Sequence, residues 1–72
     1  MAQQVPEPLV ILRRNAVEAR TGLSRSTIYQ RMAEGTFPKP VHLGVRAVGW
    51  LQPEISHWLT TQIEASRKGQ AA

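Results

Sequence analysis

Five side chains able to bond to a base or a phosphate crowd into seven consecutive positions of the stretch LSRSTIYQRMAEGTF, residues 23–37: Arg25, Ser26, Thr27, Gln30 and Arg31. Ile28 and Met32 fall four apart among them, the spacing of one helical face, so the pair, flanked by Tyr29 or Arg25, is expected to face a core. The polar five then project from the other side. Arginine can bond two acceptors of guanine at once, glutamine can pair with adenine, and a serine or threonine hydroxyl can meet a base edge or a phosphate oxygen. The same pattern also suits an ordinary amphipathic helix with a polar outer surface. Arg46 is a sixth candidate. It falls in GVRAVGW, where a protruding loop would let it enter a narrow minor groove or meet a phosphate, unless it is simply an exposed turn residue.

Charge supports the first reading. Lysine and arginine outnumber aspartate and glutamate nine to five, and the excess is central: residues 13–46 carry seven basic residues against Glu18 and Glu34, while the rest of the chain is slightly acidic. The sequence pI of about 10.8 exceeds the value of about 9 that marks a nucleic-acid footprint. Basic residues merely scattered over a solvated surface would give the same total.

The elements that must position these groups are marked by their ends. RNAVEAR, residues 14–20, suits a short helix that Gly22 would end in the left-handed conformation. Ser24 is placed to accept a backbone N–H from the first turn of the next helix, about Arg25 to Glu34, which Gly35 closes. Leu23 plugs the turn between them. Two short helices joined by a three- or four-residue turn with a glycine form a helix-turn-helix unit. Pro38 and Pro40 then stop any helix, and VHLG and VRAVGW alternate as a small hairpin turning at Gly44 to Arg46. Pro53 and Glu54 suit the first turn of a last helix with an apolar stripe of Ile55, Trp58, Leu59 and either Gln62 or Ile63, extending to about Ala65. Trp50 and Trp58 are expected to meet in the core. Residues 1–8, with two prolines, read as a flexible arm, residues 9–65 as the folded domain, and residues 66–72 as a disordered polar tail.

Composition narrows the function. At 72 residues the chain is one small domain, of a size that buries only about 60% of the surface exposed by the unfolded chain. It has no cysteine for a disulfide or a thiolate metal site. His42 and His57 fall in different elements with no acid at metal-ligand spacing, and no glycine-rich phosphate loop precedes a helix, so neither catalysis nor a metal or other cofactor is expected. No apolar run approaches the roughly 18 residues of a membrane span, and MAQQVPEP lacks the basic start and apolar core of a signal peptide. A cytoplasmic, nucleoid-associated protein with no membrane partner is expected.

Taken together, TGLSRSTIYQRMAEGTFPKPVHLG, then RAVGW, then EISHWL resemble the AlpA family of small phage and prophage regulators, related to phage excisionases and to the DNA-binding domains of MerR-type proteins. The resemblance covers about residues 11–60 and lies in the order and spacing of the motifs. It implies a mainly α fold with a small β-hairpin: a MerR-like winged helix-turn-helix with a two-stranded wing and a C-terminal helix. It also implies DNA contacts at Arg25, Ser26, Thr27, Gln30 and Arg31 in the major groove, and at Arg46 in the wing. The chain departs from the family pattern at Arg14, Asn15, His42, Val45 and Pro53.

The function expected is that of a sequence-specific DNA-binding transcription regulator of a phage or mobile element, acting on integrase or prophage genes. The alternative is an excisionase that bends attachment-site DNA with an integrase. A protein-interaction module and a non-specific architectural binder are further alternatives. With no room for an effector domain, no small-molecule ligand is expected. One module of this size buries only about 600 to 1,000 Å² on duplex DNA, so further copies on the DNA, or an integrase, are the partners that would add specificity.

Overall fold

The computed structural model describes residues 10–70, so the arm expected over residues 1–8 lies outside the described residues. The elements run β1 (Ile11–Leu12), α1 (Arg14–Thr21), α2 (Arg25–Glu34), β2 (Val41–His42), β3 (Val48–Leu51) and α3 (Gln52–Gln70). Both helix ends anticipated at glycine occur there. Gly22 ends α1 at φ 75° with its N–H on the Glu18 carbonyl, and Gly35 ends α2 at φ 79°. Only glycine adopts this left-handed backbone without steric cost. Between the helices Ser24 opens α2: its Oγ accepts the Thr27 N–H at 3.3 Å, satisfying one of the first-turn donors that the helix cannot satisfy itself. The arrangement of α1, turn and α2 is compatible with a small helix-turn-helix DNA-binding fold.

The sheet differs from the two-stranded hairpin expected. It has three antiparallel strands in the order β1-β3-β2, with Leu12 opposite Trp50 and Val41 opposite Gly49. A two-residue strand shows no alternation, and β1 exists because the far edge of β3 offers it partners. Gly49 makes that pairing possible. A Cβ there would collide with the Ile11 side chain and come within 3.1 Å of the Leu12 carbonyl oxygen. The ladder continues into α3, whose Gln52 N–H donates to the Val10 carbonyl at 2.9 Å.

The core is Leu12, Val17, Ile28, Phe37, Trp50 and Ile55, contributed by β1, α1, α2, the loop after α2, β3 and α3 in turn. Met32, Trp58 and Leu59 pack around it half-buried. The two tryptophans meet through an intermediary. Phe37 stands edge-on to both, its ring centroid 6.5 Å from Trp50 and 4.8 Å from Trp58. Each indole also ties down the loop after α2, Trp50 Nε1 donating to the Pro38 carbonyl at 3.0 Å and Trp58 Nε1 to the Thr36 carbonyl at 2.7 Å. This loop hangs on sheet and helix at once.

The last helix is longer than its sequence suggests. It continues through Ser66 and reaches Gln70 rather than stopping near Ala65. No proline follows Pro53, and Arg67 and Lys68 complement the negative end of the helix dipole. Only its first two turns are packed. From Thr60 to Gly69 every side chain is exposed, including Ile63 of the expected apolar stripe at 48%.

Candidate nucleic-acid interface

Relative to the buried Ile28, the helical turn points Ser26 and Gln30 furthest outward on α2 and leaves Arg25 and Arg31 on opposite edges. Ser26, Gln30 and Arg25 are exposed, whereas Thr27 and Arg31 are half-buried. The edges have different neighbours. On one, the Arg25 guanidinium lies 5.8 Å from the Tyr29 ring centroid; on the other, that of Arg31 lies 5.9 Å from the Trp58 ring. Arg31 is therefore braced by α3. Thr27 serves the helix start, because the Ser24 hydroxyl donates to its Oγ1 at 3.0 Å. Gln30 Nε2 donates to the Glu34 carboxylate at 3.3 Å, an (i, i+4) pair that places one acid on the same face.

Arg46 is exposed on the hairpin tip beside Val45, whose side chain is wholly in solvent. The Ala47 carbonyl closes this tip by accepting the N–H groups of Leu43 at 2.7 Å and Gly44 at 3.3 Å. Arg46 also borders a cleft of about 450 Å³ together with Arg13, Arg14, Asn15, Tyr29 and Val48. Two of its members are held in place. Arg13 Nε donates to the Val48 carbonyl at 3.0 Å, and Arg14 pairs with Glu18 at 2.9 Å. The fold thus brings Arg46 to the Tyr29 edge of α2, away from Arg31.

Of the residues lining this cleft, Arg46 alone is among the DNA contacts expected from sequence. Arg13, Arg14 and Asn15 precede and open α1, far in sequence from the other candidates, and the positive charge of the two arginines is the one signal of them in the sequence. Tyr29 or Arg25 was expected to flank the core, yet both are exposed, Tyr29 at 40%, because the narrow apolar face of α2 is filled by Ile28 and Met32. His42 and His57 are exposed on β2 and α3. A second concavity, of about 780 Å³ and bordered by Phe37 and Trp58, touches none of the six candidates.

Residues 10–63 match the family model described as prophage CP4-57 regulatory protein (AlpA), which spans every strand, α1, α2 and the packed part of α3. The chain belongs to the AlpA family. One relative is the DNA-binding transcriptional activator AlpA of Escherichia coli (strain K12), 45% identical over 56 residues, covering 69% of this chain and 80% of that protein. Another is the uncharacterized protein ORF88 of Enterobacteria phage P4, 43% identical over 51 residues; this chain spans 71% of its own length and 58% of the phage protein's in that match. All six candidate residues of this AlpA-family chain lie inside the matched segment. Among its described residues, no helix is long and apolar enough to cross a membrane.

Proposed function

We propose that this AlpA-family chain is a sequence-specific DNA-binding transcription regulator of a phage or other mobile element, acting on prophage or integrase genes. The observation that carries it is the outward face of α2, where Ser26 and Gln30 are flanked by Arg25 and Arg31 on a helix capped by Ser24. A major groove about 12 Å wide admits such a helix. In this reading Arg25, Ser26, Thr27, Gln30 and Arg31 meet base edges and flanking phosphates. The β2–β3 hairpin acts as a MerR-like wing that carries Arg46 to the adjacent backbone or minor groove. The name of the Escherichia coli relative, a DNA-binding transcriptional activator, supports the same reading.

The DNA-binding unit is residues 9–65, acting by binding alone, on the nucleoid, with no catalytic step. Its partners are duplex DNA, neighbouring copies on that DNA and an integrase. A nuclease footprint of the purified protein over DNA flanking its own gene, including the nearest integrase gene and attachment site, tests this. One protected site at a promoter supports the regulator; several phased repeats in the attachment region replace it with an excisionase; no protection anywhere removes the DNA-binding reading.

A further inference from the structure

The cleft between α1, α2 and the hairpin places three arginines from distant parts of the chain around one concavity. Arg13 and Arg14 come from the start of α1, Arg46 from the hairpin tip, and Tyr29 and Asn15 add neutral groups able to donate hydrogen bonds. Glu18 is paired with Arg14, which leaves two guanidinium charges in excess. Converging like charges repel, and an anion lodged among them relieves that repulsion. Arginine's planar fork matches the oxygens of a phosphate in particular. The cleft is also prepared in advance, because the Arg13 bond to the Val48 carbonyl fixes the hairpin strand against the α1 entrance. It adjoins the Arg25–Tyr29 edge of α2, where a strand bordering an occupied major groove would run.

We infer that this cleft is a clamp for one phosphodiester of duplex DNA, with Arg14, Asn15, Tyr29 and Arg46 as its contacts and Arg13 as the residue that positions them. The inference rests on the DNA-binding proposal and deepens it. The clamp carries no sequence information of its own; it sets how deeply and in which register α2 enters the groove. Its chemistry is that of any phosphate oxyanion, so the source must be distinguished by experiment.

Binding to two unrelated 20-base-pair duplexes is measured by fluorescence anisotropy between 50 and 200 mM NaCl, with nuclear magnetic resonance of the arginine Nε–H and backbone amide groups in parallel. Arg14→Gln is expected to weaken binding about tenfold on both duplexes and to reduce the slope of log affinity against log salt by about 0.9, the loss of one phosphate contact. Asn15→Asp guards against misfolding as an explanation. An acid there suits the positive end of α1, so its melting temperature holds or rises while affinity falls by a similar factor. Duplex should shift the Arg14, Asn15, Tyr29 and Arg46 resonances, and inorganic phosphate at equal ionic strength should not. If both variants bind as wild type while Gln30→Ala still alters sequence preference, the clamp is wrong and the DNA-binding reading stands. If inorganic phosphate fills the cleft and duplex leaves it unmoved, the site takes a small anion and the inference is overturned. If the wild-type protein binds neither duplex, the footprint negative as well, both proposals fall together.

Discussion

The guanidinium of Arg31 lies over the ring of Trp58, 5.9 Å from its centroid, and the same indole donates its N–H to the Thr36 carbonyl at 2.7 Å. One aromatic side chain of α3 therefore braces both Arg31, a residue proposed to contact DNA, and the loop that follows α2. Under the proposed function, this bracing would lower the entropy lost when Arg31 meets DNA and would make arginine there hard to replace with lysine.

Arg31→Ala is expected to weaken binding to the footprinted site by about 1 to 3 kcal/mol and to change the preferred sequence, as a base-reading arginine would. Arg31→Lys should recover only part of that loss, since a compact ammonium cannot form the bidentate bond. Gel-shift titrations against the site and its single-base variants measure both effects. Equal affinity of all three proteins would remove Arg31 from the interface.

For Gln30→Ala the expected change is confined to recognition. Its side chain is exposed and bonded only along its own helix to Glu34, so thermal melting should stay within about 0.5 kcal/mol of wild type. Selection of bound sequences from a randomised pool should nevertheless give a different consensus.

Arg46→Ala should weaken binding evenly across sequences and reduce the salt slope by about 0.9, the mark of a lost phosphate contact. Competition with random-sequence DNA measures the evenness. Unchanged affinity and slope would make the hairpin a structural element only.

Trp50→Ala should cost about 3 to 5 kcal/mol, enough to unfold so small a domain, because Trp50 is fully buried at the centre of the core. Trp58 is half-buried and should cost less on truncation. Circular-dichroism melts of both variants check the order; a retained wild-type transition in Trp50→Ala contradicts its place in the core.

At Gly49, alanine should destabilise by about 1 to 3 kcal/mol through overpacking against Ile11 and the Leu12 carbonyl. The loss should appear first as faster amide exchange along β1, the strand that Gly49 admits, and protection of β1 equal to wild type would show that a Cβ fits at this position without weakening the pairing.

What the sequence by itself determined was local. The Ser24 cap, the helix ends at Gly22 and Gly35, the Ile28–Met32 face of α2 and the hairpin turn at Gly44 to Arg46 depend on residues within a few positions of one another, so residue type and spacing reveal them. Tertiary structure decided what joins distant segments. Leu12 pairs with Trp50, Phe37 comes between the two tryptophans, and Arg13 reaches the Val48 carbonyl. A two-residue strand or a lone phenylalanine has no period to betray it; its place follows only from the partners that the rest of the chain brings within reach. The basic cleft has the same origin: its arginines are ordinary surface residues in sequence, and become one feature only when β1 and the hairpin close against α1 and α2.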